Sequence, residues 1–198
     1  MGSWGIKHNL VINFVYDLPV WKNLRGAASA LANGWQLAGI ANARSGNPLT
    51  AFVQTNRSRS QWAPSLGSGI GVDRPSLVDG FNARTAVTGN PAQYFNPAAF
   101  VLQTAGTFGS LGRGAFIGPN LRTVDLSAIK SFKITEKTRL QFRAETFNLF
   151  NRANFAPPLL TAFAGTETNP NATLSTFGRI RSTVTSSRQV QLGIRLSF

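Results

Sequence analysis

The sequence predicts an all-β fold: an antiparallel transmembrane β-barrel segment of about five strands with two long outer loops, which is an incomplete barrel on its own. Polar and apolar residues alternate without a slip from Gln189 to Phe198, and this is the period of a β-strand. No run of 18 apolar residues occurs, but strands can span a membrane with about ten alternating residues. Two long polar segments, 54–120 and 152–187, suit the outer loops of such a barrel.

The elements before the last strand follow from the same kind of periodicity. Apolar residues at helical spacing in Trp21 to Asn33 predict a short helix in the turn after the first strand. In the second strand Ile40 breaks the alternation, so Gly39 is expected to mark a β-bulge. The predicted strands lie near 8–17, 35–53, 121–134, 139–151 and 188–198.

A hairpin is predicted where the polar segment Thr135 to Thr138 joins two alternating stretches. An odd-length tip sets the expected pairs, which are Ile134 with Leu140, Phe132 with Phe142 and Arg143 beside Ser131. After Thr146 the alternation slips, which indicates a bulge or the exit of the strand from the membrane.

Lys130 is the exception on the apolar side of this hairpin. A lysine facing lipid costs roughly 2–4 kcal/mol at the middle of a bilayer and much less near its surface. We therefore expect the Lys130 side chain to reach toward the membrane surface or to mark a bulge.

The composition removes most catalytic chemistry. The chain has no cysteine and a single histidine, His8, which argues against disulfides, thiolate catalysis and a His-rich metal site. Its seven acidic residues are scattered, and none are spaced to pair on one face for acid–base catalysis. We expect no enzyme activity, no cofactor and no metal.

The strongly basic balance favours anionic partners. The formal net charge is +13, and arginine supplies most of the 20 basic residues. Loop arginines are candidates for contacts with lipopolysaccharide phosphates or an anionic ligand, and a merely solvated surface is an equally open alternative. These candidates are Arg57, Arg59, Arg113, Arg179 and Arg181.

The C-terminus resembles the assembly signal of bacterial outer-membrane barrels, in which a polar residue, a glycine, a hydrophobic residue and a final aromatic residue stand at fixed spacing. Gln191, Gly193, Leu196 and Phe198 fill these four places. The resemblance implies that the barrel assembly machinery recognises the last strand by pairing with its edge.

Longer segments carry a second resemblance, to the C-terminal region of TonB-dependent outer-membrane receptors of the Oar-like group. They are HNLVINFVYDLP and GWQLAGIANARSGNPLT near the start, then YFNPAAF (94–100), GTFGSLGRGAFIGPN (106–120), VDLSAIKSF (124–132), LQFRAETFNLFNRANF (140–155), FGRIRST (177–183) and RQVQLGIRLSF (188–198). The resemblance implies the C-terminal barrel segment of a receptor or transporter in the cell outer membrane, in contact with outer-membrane lipid and lipopolysaccharide. The whole barrel would have about twenty-two strands and an N-terminal plug.

The sequence lacks what the resemblance would place at the N-terminus. No signal peptide, energy-coupling box or plug precedes the predicted strands. We therefore expect this chain to be the C-terminal piece of a longer exported protein, which would reach TonB only through the missing N-terminal part. The transported ligand stays unassigned.

A soluble basic β-protein that binds nucleic acid or other polyanions is the alternative from a different class. Arginine interleaved with aromatic residues is its signature. Here the arginines lie mainly in the loops without a dense patch, and the aromatic residues occupy the face that lipid would contact. We therefore expect no specific binding of nucleic acid.

Overall fold

The computed structural model describes residues 5–60 and 73–198 of the chain, so residues 61–72 of the predicted loop at 54–120 lie outside the described ranges. Within those ranges the backbone is mostly β, with an α-helix, α1, at Gly26–Ala32 and a 3₁₀ turn at Pro97–Ala99. Strands β1 to β13 span, in chain order, Asn9–Asp17, Trp35–Arg44, Pro48–Leu49, Phe52–Val53, Ser76–Leu77, Val87–Asn90, Gln93–Phe95, Phe100–Val101, Phe116–Ile117, Leu121–Lys133, Arg139–Phe147, Thr161–Phe163 and Gln189–Ser197. None of the helices described is long and apolar enough to cross a membrane.

The chain divides into two compact units. The first, called here the sheet unit, comprises Asn9–Arg44, Leu121–Asn154 and Thr185–Phe198. The second, called the loop unit, comprises the described parts of Met1–His8, Ser45–Asn120 and Phe155–Val184.

The sheet unit is built on one antiparallel sheet of five strands in the order β1-β2-β10-β11-β13. This confirms the predicted all-β class and the predicted number of strands. Among the described residues, β1 and β13 each pair on one side only, so the sheet does not close. The prediction of an incomplete barrel is also confirmed.

The register brings most of the apolar residues of the five strands onto one side of the sheet, called here the apolar face. Tyr16 stands opposite Leu37, which in turn stands opposite Ala128. The face continues across β11 to β13, where Phe142 stands opposite Ile194. It consists of Leu10, Ile12, Phe14, Tyr16, Trp35, Leu37, Gly39, Ala41, Ala43, Arg122, Val124, Leu126, Ala128, Lys130, Phe132, Leu140, Phe142, Ala144, Thr146, Val190, Leu192, Ile194 and Leu196.

The predicted bulge at Gly39 is wrong. The register of β2 runs through this residue without interruption, and Gly39 stands opposite both Phe14 and Leu126. A Cβ atom on Gly39 would lie 2.6 Å from Cε1 of the Phe14 ring. Glycine is needed here because an aromatic ring of the neighbouring strand packs over its Cα, and not because the strand is irregular.

Two of the predicted strands end earlier than expected. The strand predicted at 35–53 ends at Arg44, because Gly46 then turns the chain so close to Gly118 that a Cβ would lie 1.8 Å from the Gly118 carbonyl oxygen. The strand predicted at 139–151 ends at Phe147, because Asn148 and Asn151 both take the left-handed conformation with φ of 50°.

The predicted register of the β10–β11 hairpin is wrong by two residues. Phe132 pairs with Leu140 instead of Phe142, and Arg143 stands opposite Ile129 instead of Ser131. Ile134 belongs to the turn, where its N–H donates to the carbonyl of Thr138 at 3.0 Å. A shift of two leaves every side chain on its predicted face, because the side-chain period of a strand is two.

The two segments predicted as long loops, 54–120 and 152–187, contribute most of the loop unit, which has short strands and a core of its own. Its described residues form four small sheets of two strands each, which pair β12 with β4, β3 with β9, β5 with β8 and β6 with β7. They surround an aromatic core in which Phe95 stacks on Phe177 with ring centroids 5.0 Å apart. The other phenylalanines of this core are Phe100, Phe116 and Phe163.

Candidate functional site

The last strand displays its apolar residues to the surroundings. Leu192 has 78% of its surface exposed, and Val190, Ile194 and Leu196 are exposed as well. In a soluble sheet such a face is covered by a second layer, because leaving it in water forfeits the gain from apolar burial. An apolar face that stays exposed therefore requires an apolar medium or partner.

The four residues of the predicted assembly signal take different positions around this strand. Gln191 and Gly193 lie on the side opposite the apolar face, where they pair with Glu145 and Arg143. Leu196 lies on the apolar face, and Phe198 follows the last strand residue with 97% of its surface exposed. A Cβ on Gly193 would lie 3.9 Å from Cβ of Arg143, so packing within the described sheet does not explain the glycine.

The opposite side of the sheet, called here the polar face, carries polar and charged pairs. Arg143 forms an ion pair with Glu145 at 3.6 Å, and Ser127 donates a hydrogen bond to the same carboxylate at 3.5 Å. Gln36 donates to Asp17 at 2.7 Å. The larger apolar residues on this face include Val11, Val15, Ile40 and Ile129. Because the ion pair is partly exposed it adds little stability, and its presence indicates a hydrated face.

Lys130 lies on the apolar face, and its ammonium group has partners that the sequence did not predict. The register of β10 is continuous there, so the lysine does not mark a bulge. Its ammonium group donates hydrogen bonds to the carbonyl of Ala30, at 2.7 Å, and to that of Asn33. It also lies 5.4 Å from the ring centroid of Trp35 and 4.8 Å from that of Phe132.

These contacts make Lys130 a cap for the C-terminal end of α1. The last carbonyls of a helix have no partner within the helix, and a cation there is favourable. The side chain is only 4% exposed, so it binds the helix instead of reaching water. Nothing in the spacing of the sequence connects Lys130 with Ala30, 100 residues earlier, which is why the contact was not predicted.

At the other end of the sheet, the side chain of Asn154 is hydrogen-bonded to the start of β10. Its carbonyl oxygen accepts from the N–H of Arg122 at 2.8 Å, and its amide donates to the Arg122 carbonyl at 3.0 Å and to Thr185 at 3.1 Å. The side chain is 1% exposed. It therefore completes the backbone pairing of β10 as a neighbouring strand would.

Asn148 makes a second polar junction at the same end. Its N–H donates to the Asp125 carboxylate at 2.8 Å, and its side-chain amide donates to the carbonyls of Arg152 and Ser186. Asparagine tolerates the left-handed backbone that this position requires. The repeated asparagines in this stretch were a signal for these turns.

The five candidate arginines have different surroundings. Arg57 is half-buried and donates to the carbonyls of Gln103, at 2.6 Å, and of Gly165, at 2.9 Å, so it holds the loop unit together. The other four are exposed: Arg59, Arg113, Arg179 and Arg181.

The titratable groups of the loop unit have structural partners. Burial raises the pKa of the Glu167 carboxyl, but backbone N–H groups outweigh that effect and hold the pKa below its ordinary value. Two of these donors are the N–H groups of Ala164, at 2.5 Å, and Gly165, at 2.7 Å. Burial raises the pKa of Tyr94, whose hydroxyl donates to the Ile117 carbonyl at 2.9 Å.

The Asp73 carboxylate is also hydrogen-bonded within the loop unit. It accepts hydrogen bonds from the N–H and the hydroxyl of Ser58, at 2.5 and 2.8 Å. Across residues 5–60 and 73–198, no group of three or more His, Cys, Asp or Glu side chains is placed to hold a metal ion.

Comparison with known proteins gives one match that covers nearly the whole chain. Residues 2–191 match the family model described as an outer membrane beta barrel domain. Searches of the curated proteins and of the solved structures found no match.

Proposed function

The chain belongs to the outer membrane β-barrel domain family, and from that premise we propose that it forms the C-terminal barrel segment of a TonB-dependent receptor of the Oar-like group. As a member of the family it is a barrel protein of the outer membrane. In the proposed role the sheet unit supplies barrel wall and a lumen-facing surface for uptake of a ligand. The long connections supply extracellular loops.

One observation carries the proposal, which is the division of a five-stranded sheet into an apolar and a polar face. A barrel that transports polar ligands needs lipid on one side of its wall and water on the other. The exposed apolar residues of β13 meet the first need, and the Arg143–Glu145 ion pair suits the second. The family match favours this arrangement over the soluble, polyanion-binding alternative.

The open edges of the sheet support the idea that further strands complete the barrel. Within the described residues, β1 and β13 each leave one row of backbone N–H and C=O groups without a strand partner. Lipid cannot satisfy such groups, so a β-sheet is stable in a membrane only when it closes into a barrel. We propose that strands outside this sequence close the barrel.

The proposed partners follow from this role. Outer-membrane lipid and lipopolysaccharide contact the apolar face and the exposed loop arginines. The barrel assembly machinery recognises β13 and Phe198, and TonB engages only a segment outside this sequence. We propose no catalytic role and no sequence-specific binding of nucleic acid, since Arg57, Asp73 and Glu167 serve the packing of the loop unit.

A binding experiment with the periplasmic domain of TonB tests the receptor role. The longest open reading frame in register with this chain is produced in the outer membrane, purified in detergent and passed over immobilised TonB domain. The 198-residue chain alone is the matched control. Binding by the long product but not by the control supports the proposal. A long product that inserts into the outer membrane but does not bind TonB refutes the receptor role and leaves the barrel assignment intact.

A further inference from the structure

We propose that the sheet unit holds an anionic phospholipid by its phosphate headgroup in a groove between α1 and the end of β10. The groove has a volume of about 530 Å³. Its lining includes Arg25, Ser29, Asn33, Phe132 and Lys133. It is called here the headgroup groove.

The charges at the groove select an anion. Arg25 and Lys133 line it, and no acidic residue does. Both side chains are exposed, and neither has an ion-pair partner in the described part of the chain. Arg25 precedes α1 without using its side chain to cap the helix. The nearby cation of Lys130 is already committed to the carbonyls of α1 and is not available to a ligand.

The turn that carries α1 also has the apolar residues expected at the surface of a bilayer. Trp21 and Leu31 are 59% and 65% exposed, and Val20 is exposed as well. No acidic residue occurs from Leu18 to Gly34, whereas Lys22 and Arg25 do. Aromatic rings beside basic groups are typical of the boundary between lipid and water.

The groove is held open by contacts that do not involve a ligand. The Asn33 side chain accepts from the N–H of Trp21 at 2.7 Å and donates to Ser29 at 3.0 Å. Gly34 lies so close to β10 that a Cβ would be 2.6 Å from the Ser131 carbonyl oxygen, and its own carbonyl accepts from the Ser131 N–H at 2.9 Å. A preformed site loses little conformational freedom on binding.

The position of the groove fits a lipid better than a soluble phosphate. It lies at the end of the sheet where β10 ends and β11 begins, the same end as Phe198. Phe132 lines the groove and also belongs to the apolar face, so acyl chains attached to a bound phosphate would continue along that face. A free phosphate would use the cations but not the apolar surface. Because the lipid binds outside the barrel, the proposal does not depend on the receptor role.

Lipid binding to the product of the longest open reading frame in register with this chain, solubilised in mild detergent from outer membranes, tests the proposal. Native mass spectrometry counts bound phosphatidylglycerol, with phosphatidylcholine as the uncharged comparison. Two basic residues near a membrane surface together contribute about 30-fold in affinity, so Arg25→Gln with Lys133→Gln should weaken the tightest phosphatidylglycerol site by about that factor. The matched control is Lys7→Gln with Arg84→Gln, which likewise removes one lysine and one arginine, here from exposed positions in the loop unit that carry no proposed contact.

The arms of the experiment separate the possible outcomes. Selective loss in the groove variant, with wild-type binding retained by Arg25→Lys with Lys133→Arg, supports the proposal. Equal loss in the control variant would mean that only net charge matters and would overturn it. Displacement of the lipid by millimolar glycerol 3-phosphate would identify a free-phosphate site instead and would also overturn it. Near-ultraviolet circular dichroism of each variant verifies that the fold is retained; if the groove variant is misfolded, loss of binding by the folded Arg25→Gln single variant decides in its place.

Discussion

Replacing Lys130 with methionine should release α1 from the sheet. The change keeps an unbranched side chain of similar length but removes two charge-assisted hydrogen bonds, to Ala30 and Asn33. Such bonds contribute about 1.5–3 kcal/mol each. It also removes the contact of the ammonium group with the rings of Trp35 and Phe132.

One effect acts in the opposite direction, because the substitution also removes a charge from the apolar face. Lys130 is three residues from the end of β10, which ends at Lys133, so Lys130 lies near the membrane surface. Removing a lysine near the surface gains only about 0–1 kcal/mol. The lost hydrogen bonds therefore dominate, and the packed form of the α1 turn should lose about 2–6 kcal/mol.

Hydrogen exchange measures this loss directly. A loss of about 2 kcal/mol or more lowers the protection of the amides in Gly26–Ala32 by at least about 30-fold. This holds where the local opening of α1 in the wild type costs at least that much free energy. Lys133→Met is the matched control, since it makes the same change on the same strand at an exposed residue that does not cap the helix. Equal protection of α1 in the wild type and in Lys130→Met would refute the capping role.

Three further predictions concern the Asn154 junction, the Glu167 carboxylate and the C-terminus. Asn154→Ala should lower the free energy of unfolding by about 2–4 kcal/mol in a urea titration, because it removes three part-buried hydrogen bonds, whereas exposed Asn171→Ala should change little. Glu167 has a pKa below its ordinary value of 4.5, so its stabilising effect is present above that pH and is lost as the pH falls through the lowered pKa. Protection of the Ala164 and Gly165 amides should therefore fall on acidification in the wild type but not in Glu167→Gln. In the longer parent protein, deleting Phe198 or changing it to Asp should block outer-membrane insertion, measured as yield and heat-modifiable gel mobility, while Ser197→Ala is tolerated and Arg195→Ala is intermediate at most.

Each of these has a clear contrary result. Equal unfolding midpoints for Asn154→Ala and Asn171→Ala would show that the Asn154 side chain does not hold the junction. If acidification lowers the protection of these amides equally in the wild type and in Glu167→Gln, the Glu167 carboxylate does not stabilise this turn. Wild-type insertion without Phe198 would mean that the terminal alternation is an ordinary strand and not an assembly signal.

The sheet was predictable because its signal is local. Alternation over about ten residues identifies a strand wherever one face is apolar, and it located the strand of Gln189–Ser197 to within a residue at each end. The assignment of side chains to the two faces stayed correct although the predicted hairpin register was wrong, because a shift of two residues keeps Phe132 and Leu140 on the same side. A shift of one would have put every prediction about that face on the wrong side.

The loop unit was not predictable because its order depends on contacts between distant residues. Phe95 and Phe177 stack although 81 intervening residues separate them, and the strands near them are only two to four residues long. Such short strands carry no measurable periodicity. The same holds for Lys130, whose partners on α1 could be found only from the folded register.

Cysteine scanning of β13 tests the membrane-facing sheet most directly, because the chain has no cysteine of its own. Each residue of 190–197 is replaced singly, and outer membranes from producing cells are treated with a water-soluble maleimide or with a lipid-soluble one. If one face of the sheet meets lipid and the other meets water, labelling alternates along β13. The lipid-soluble reagent is then preferred at Val190, Leu192, Ile194 and Leu196, and the water-soluble reagent at Gln191, Gly193, Arg195 and Ser197. Uniform labelling by the water-soluble reagent at all eight positions would contradict it.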